Sequence, residues 1–422
     1  MITMIQLHSL DTLKEQLQQE YPRTFVDNPE FTVGLNSLMK SGLPTPRNEE
    51  WKYFPLNALV MTDYALPIEK DGIYEPKQFQ PYIHDAHHIV LVNGHFVNHP
   101  KLSEIPGLTC STDHTSLSDI LSNAHDNPFP LLNALLHNDR VVLQIDNYFD
   151  HSKPIHIIHV IENVENTPVL ASPTISILSK TGAKATIIES YHVNSNSKGL
   201  INTSFTVDAE EHSEIHHIII QDGLQQCAMI YTCESTIAKH AKVQDHVIVH
   251  DSYKVRNTIT GKLTEEHGLY NIYGVVSANE QSLIDNHTIV DHIAPHCESN
   301  ELFKHVLDDS STAVFNGKIF VRLDAQKTNA YQSNRTLLLS PKATINTKPQ
   351  LEIFADDVKC SHGATTGSVD EESLYYLQAR GIPKEVGKRL LTDAFIGEVI
   401  QLLEVEELKS YFADALLLDS GV

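Results

Sequence analysis

Gly182-Ala183-Lys184-Ala185, His212-Ser213-Glu214-Ile215, His240-Ala241-Lys242-Val243 and His267-Gly268-Leu269-Tyr270 begin 30, 28 and 27 residues apart, and each precedes a β-rich run. Ser311-Thr312-Ala313-Val314 and Pro341-Lys342-Ala343-Thr344 repeat the pattern 30 residues apart, after a gap of 44. A turn and a strand recurring on such a period mark stacked coils, none of which buries its core face alone. Further runs of β-forming residues occupy 89–92, 141–145, 155–161, 174–178, 186–188, 215–220 and 243–249. Among them only 127–136 reads as a helix, capped by Asn127, so the strand–helix alternation of a doubly wound sheet is missing. The recurrence favours a stacked β-solenoid over a large sandwich, and the predicted fold class is mainly β, a parallel β-helix.

On either side of this stretch the spacing becomes helical. Leu10, Leu13 and Leu17, then Phe31, Leu35 and Leu38, recur at helical intervals, with Asn28 as N-cap and Pro29 in the first turn. Trp51, the sole tryptophan, reads as a core anchor. After Gly367, Asp370 caps a helix whose Leu374 and Leu377 face inward; Gly381 ends it and Pro383 opens a second helix running to about residue 403. The chain divides accordingly into an N-terminal helical domain at 1–82, a β-helix core at 83–366 and a C-terminal helical domain at 367–422. Val386, Leu390, Ala394, Ile396 and Val399, followed by Leu408, Phe412 and the apolar residues 416–418, exceed what a small helical tail buries on itself. They pack on the last coil, or, together with Leu374 and Leu377, they form a partner-binding face.

Composition excludes several classes of function. With 41% hydrophobic and 20% charged residues, the 422-residue chain is globular and long enough for two or three structural units. A formal charge of −23 repels phosphate backbones and anionic lipid, so neither nucleic acid nor membrane is an expected partner. Cys110, Cys227, Cys233, Cys297 and Cys360 are odd in number and form no C-x-x-C pair, which points to a reducing cytoplasm and not to disulfides or a zinc ribbon. Signal and membrane-spanning segments are not expected. Walker A, G-x-G-x-x-G, G-x-S-x-G and H-E-x-x-H motifs are absent, and no enzymatic activity is expected. The alternative is a polysaccharide-active β-helix enzyme, whose scattered acids no local motif reveals, or a stand-alone binding protein.

Twenty-five histidines supply i, i+4 pairs, His212 with His216, His246 with His250 and His292 with His296, which on a strand share one face. They read more simply as solvated or hydrogen-bonded positions, as does His296-Cys297. The densest concentration of chemistry is Asp356-Asp357-Val358-Lys359-Cys360-Ser361-His362-Gly363-Ala364-Thr365. Cys360 and His362 are i, i+2, so an extended chain turns both to one side and offers a thiolate and an imidazole to iron or a sulfur species. Lys359 is positioned to lower the thiol pKa. Two ligands do not close a tetrahedral site, so any metal here takes its remaining ligands from elsewhere.

Phe315-Asn316-Gly317-Lys318-Ile319-Phe320-Val321, Ala325-Gln326-Lys327-Thr328-Asn329-Ala330, Gln332-Ser333-Asn334-Arg335-Thr336-Leu337-Leu338-Leu339, Lys359-Cys360-Ser361-His362-Gly363-Ala364-Thr365 and Leu374-Tyr375-Tyr376-Leu377-Gln378-Ala379-Arg380-Gly381 together resemble the SufB/SufD family of iron-sulfur assembly proteins. Glu50-Trp51-Lys52-Tyr53 resembles the family's N-terminal segment. The SufB branch carries a scaffold cysteine where this chain has Ala343, and His-Glu where it has His362-Gly363. The resemblance therefore implies that the thiolate holding a nascent cluster comes from a partner chain. It further implies a right-handed parallel β-helix, a C-terminal helical domain that docks a SufC-like ABC ATPase, and pairing with a SufB-like scaffold through the C-terminal part of the β-helix. His362, with Cys360 beside it, would lie at that interface as a ligand to iron or an iron-sulfur cluster that is transient and shared, with no tightly bound cofactor in the isolated chain. Left without its partner, the edge would support a homodimer.

Overall fold

A computed structural model of the chain describes residues 4–20, 29–67, 80–97, 100–113, 127–136, 139–163, 166–194 and 197–418. Two parallel β-walls face each other across a filled lumen. The first wall stacks Ile155–Ile161, Lys184–Val193, Glu214–Asp222, Lys242–His250, Leu269–Ala278, Glu298–Leu307, Asn329–Leu338 and Lys359–Ser368. The second stacks Gly199–Ala209, Cys227–Ile237, Lys254–Leu263, Leu283–His292 and Thr312–Val321, ending in the short strands Thr344–Thr347 and Gln350–Ile353. The chain visits the walls alternately, so it is a parallel β-solenoid, as the repeat predicts.

The gap of 44 residues has a structural cause: each coil has two corners. Gly182, His212, His240 and His267 are corners leading into the first wall, and that series continues through His296 and Lys327; Ser311 and Pro341 lead into the second wall. All six corners of the first series have φ between 55° and 73°. Five are not glycine, although this region is costly for residues with a Cβ. Four of the five are histidines whose rings stack coil on coil, 4.9, 4.8 and 5.1 Å apart from His212 through His240 and His267 to His296.

Strand alternation sends every second residue into the lumen. One inward column of the first wall is Ala185, Ile215, Val243, Tyr270, Ser299, Ala330 and Cys360; the next is Ile187, His217, Asp245, Ile272, Glu301, Gln332 and His362. The lumen is close-packed. A Cβ on Gly274 would come within 2.2 Å of the Phe303 ring on the coil above, so only glycine fits there.

Helices cover the outer faces of both walls. On the second wall, α1 (Leu10–Glu20), α2 (Pro29–Ser41), α3 (Asn57–Val60) and α4 (Phe129–Leu136) gather Leu13, Leu17, Leu35, Leu38, Trp51 and Leu132 against Leu170, Leu200, Ala228 and Ile230. Asn127 Oδ1 accepts from the amide N–H of Phe129, as expected of the cap of α4. Asn28, read as the cap of α2, lies outside the described residues. Trp51 is buried, with Arg256 3.8 Å above its ring and Phe129 stacked at 5.3 Å. Glu50 clamps the same region, its carboxylate 3.3 Å from His287 and accepting from Asn316 at 2.6 Å.

The first wall is covered by the C-terminal helices α5 (Glu371–Ala379), α6 (Lys384–Ile400) and α7 (Glu406–Leu418). Asp370 caps α5 by accepting from the Glu372 and Ser373 amides, and Gly381 follows its end at φ 87°. α6 stops at Ile400, slightly short of residue 403. Ile396, Val399, Ile400, Leu403, Leu408 and Phe412 are buried against Ile188, Ile218, Ile248, Val275, Leu302 and Val306. This corrects the expectation of packing on the last coil: the helices fold back along the middle coils, over a patch that includes the outward register partners Ile220, Ile248 and Val275. The side chains of residues 416–418 lie outside the described residues. No described helix is long and apolar enough to cross a membrane.

Candidate functional site

The solenoid ends unequally. Its first coils are flanked by His87–Val92 and by Asp63–Ala65, which pairs with Met4–Gln6. At the other end, strand Lys359–Ser368 pairs along its whole length with Asn329–Leu338 and with no other described strand. Ten residues of backbone are thus presented as an open edge, a template for pairing with another chain. Exposed apolar side chains surround it: Tyr331, Ile353, Phe354 and Leu323, the last 66% exposed.

Cys360 and His362 sit on this edge strand, and both belong to inward columns. Cys360 lies above Ala330, half-buried against the core; His362 lies above Gln332, which is 3% exposed, yet His362 itself is exposed because no coil stacks beyond it. Below, Gln332 Nε2 donates to Glu301 Oε2 at 2.8 Å, while the Gln332 carbonyl oxygen has no hydrogen-bond partner. Burial pushes the Glu301 carboxyl up to about 7. The strand brings the two predicted ligands together on one face, as i, i+2 spacing requires.

The expected effect of Lys359 on the thiol is corrected. Adjacent residues of a strand point to opposite faces, so Lys359 looks away, and burial instead pushes the Cys360 thiol up. Cys360 is a protonated, shielded thiol, and His362 is the accessible donor. Ala343 is buried in the core.

The C-terminal helices divide the predicted partner-binding residues. Leu374, Ile396 and Val399 are buried within the chain and cannot serve as a surface; Leu377 is half-buried. Val386, Leu390 and Ala394 are exposed, and Tyr375 and Tyr376, which the periodicity did not single out, add the largest apolar area at 74% and 58% exposure. α5 and α6 approach closely because Gly387 faces Leu374, where a Cβ would come within 2.9 Å.

The i, i+4 histidine pairs do not ligate jointly. His212 and His296 are corners and not strand residues, which voids the shared-face argument for their pairs. His246 and His250 share an outward face, but His250 Nδ1 lies 2.9 Å from Asp222 Oδ1 and His246 lies against Tyr273. Cys297 is buried, its thiol directed at the Glu265 carbonyl. A cavity of about 360 Å³ on the outer face of the second wall includes Arg140, Arg256 and Lys262, which are engaged with Ser176, Asp285 and Glu234 respectively. One group that sequence spacing could not reveal is His217, Cys233 and Asp245, whose ligand atoms lie within 4.8 Å of one another. They are 16 and 12 residues apart, and only knowledge of the coil register brings them together.

Residues 160–395 match the family model described as SUF system FeS cluster assembly, SufBD core domain, which covers more than half of the chain. The chain is 28% identical over 390 residues to the iron-sulfur cluster assembly protein SufD of Escherichia coli, covering 90% of each. It is 29% identical over 434 residues to an iron-sulfur cluster assembly SufBD family protein of Synechocystis, covering 94% of this chain and 93% of the other. Over 133 residues it is 47% identical to the chloroplastic protein ABCI7 of Arabidopsis thaliana, covering 31% of this chain and 28% of the other.

Proposed function

The chain belongs to the SufBD family of iron-sulfur cluster assembly proteins, and on that premise we propose that it is a non-catalytic subunit of a cluster-assembly complex, joined by the open end of its solenoid to a SufB-like scaffold chain. The observation that most supports this reading is the uncapped terminal coil, with Cys360 and His362 turned toward the lumen beside a ten-residue unpaired edge. Strand addition from a second solenoid would satisfy the edge and bring that chain's ligands opposite His362. The iron or iron-sulfur cluster is then cargo, held between two chains and handed on. A neutral imidazole suits that task, since it binds Fe(II) and releases it more readily than a thiolate cage.

The exposed face of α5 and α6 at Tyr375, Tyr376, Val386 and Leu390 docks a SufC-like ABC ATPase. Movement of that ATPase would act on the joint between the scaffold and this chain, a two-state element. Five unpaired cysteines support a reducing, cytoplasmic setting.

Anaerobic purification of the tagged chain from its own host, with native mass spectrometry, tests the assembly. Recovery with a SufB-like chain and an ABC ATPase is expected; a lone monomer or homodimer, with both partners expressed, would overturn it. His362→Ala should leave the complex assembled and lower its iron and sulfide content. Undiminished content would remove His362 from the mechanism.

A further inference from the structure

Inside the middle coils, far below the open end, lies a second set of metal-ligating side chains with no part in the reading above. His217 and Asp245 are register partners on adjacent strands of the first wall, and Cys233 faces them from the second wall across the lumen. All three are fully buried. His217 Nδ1 lies 3.1 Å from Asp245 Oδ1, and its Nε2 lies 3.4 Å from Glu189 Oε2. Phe205 stacks on the imidazole at 4.2 Å and fixes its plane.

We propose that His217, Cys233 and Asp245 form a structural site for a divalent cation of the zinc type, which ties the two walls together across the lumen. The donor set is one imidazole nitrogen, one sulfur and one carboxylate oxygen, the mixture that Zn²⁺ takes in tetrahedral sites, with the fourth position left for a water. With Nδ1 on the ion, Nε2 is left facing Glu189, 3.4 Å away and short of a formed hydrogen bond; closing that gap would give the carboxylate–histidine–metal arrangement that sets ring orientation and tautomer. Glu189 is itself held by His159 at 2.8 Å, Tyr191 at 2.6 Å and Tyr231 at 2.7 Å, while Tyr270 holds the second oxygen of Asp245. The supporting groups are thus fixed by strands and aromatic rings, and not by loops. Metal binding at a site this enclosed is coupled to folding.

The test uses the full-length chain carrying Cys360→Ala and His362→Ala, which removes the edge donors and makes the result independent of the assembly reading. The chain is unfolded with chelator, refolded with stoichiometric Co²⁺ or Zn²⁺, and freed of loose metal. Expected are one ion per chain by elemental analysis and, for Co²⁺, a thiolate charge-transfer band with the visible bands of tetrahedral cobalt. Adding Cys233→Ala, a small apolar replacement suited to the lumen, should abolish the thiolate band and lower Co²⁺ affinity at least tenfold while the β circular-dichroism signal returns. A chain that refolds with no metal, that binds metal without a thiolate band, or that binds equally well as Cys233→Ala would overturn the site and leave a purely hydrogen-bonded network.

Discussion

His217, Asp245, Ile272, Glu301, Gln332 and His362 belong to one inward column of the first wall, and its first and last polar members meet opposite environments. At His217, coils stack on both sides: burial alone would raise Glu189, but the hydrogen bond from His159 and the neighbouring His217 imidazole hold it well below the usual carboxylate range. At the His362 end the column runs out, and a side chain that every coil below would bury faces an open edge. Register alone therefore does not assign a role to an inward residue. The number of coils above it decides whether it is a strut or an available ligand.

The largest expected difference between the two ends is in stability. Asp245→Ala leaves the His217 Nδ1 and the Tyr270 hydroxyl without the carboxylate they share, in the closed interior of the fold. Breaking a buried pair in this way costs about 3–5 kcal/mol. Urea unfolding should report that loss, and a change below 1 kcal/mol would mean that the lumen at this point relaxes or hydrates.

The middle of the column is sharpened by pH. Burial raises Glu301 from the ordinary 4.5 to about 7. Between those values the folded chain keeps a proton that the unfolded chain has released, so this contribution is complete below pH 4.5 and is lost as pH rises through 7. The displacement corresponds to about 3 kcal/mol. Glu301→Gln should flatten the fall in unfolding free energy between pH 5 and 7.5; an unchanged slope would show that Glu301 ionises freely in the fold.

Packing provides a third contrast, between glycines on the same wall. Gly274→Ala drives a methyl group into Phe303 and should cost about 1–3 kcal/mol, whereas Gly363, at the edge strand, has no atom within 4 Å of its would-be Cβ. Equal effects at the two positions would contradict the uncapped end.

Much of this architecture was legible in the sequence because its strongest signals are local. Gly182, His212, His240 and His267 announce corners, and Asp370 and Gly381 announce the ends of α5, each through backbone conformation within a few residues. Cys360 and His362 were equally legible, since i, i+2 on a strand fixes a shared face. The His217, Cys233 and Asp245 group was not, because it depends on which wall each strand joins and on coil lengths that vary from 27 to 31 residues between register partners. The fate of Val399 and Leu390 was hidden for a similar reason: both fit the same helical spacing, and only the fold-back onto the middle coils buries one and exposes the other.

The smallest expected effect is the one that defines the open end. His362→Ala removes an exposed imidazole that makes no hydrogen bond or ion pair within the described chain. Its unfolding free energy should therefore change by no more than about 0.5 kcal/mol, the range of surface substitutions away from special features. Measured beside Asp245→Ala in the same column, this near-zero value would separate a residue held for the chain's own stability from one held for something outside it. A loss above 1 kcal/mol would place His362 among the struts, and the edge would then be a capped end.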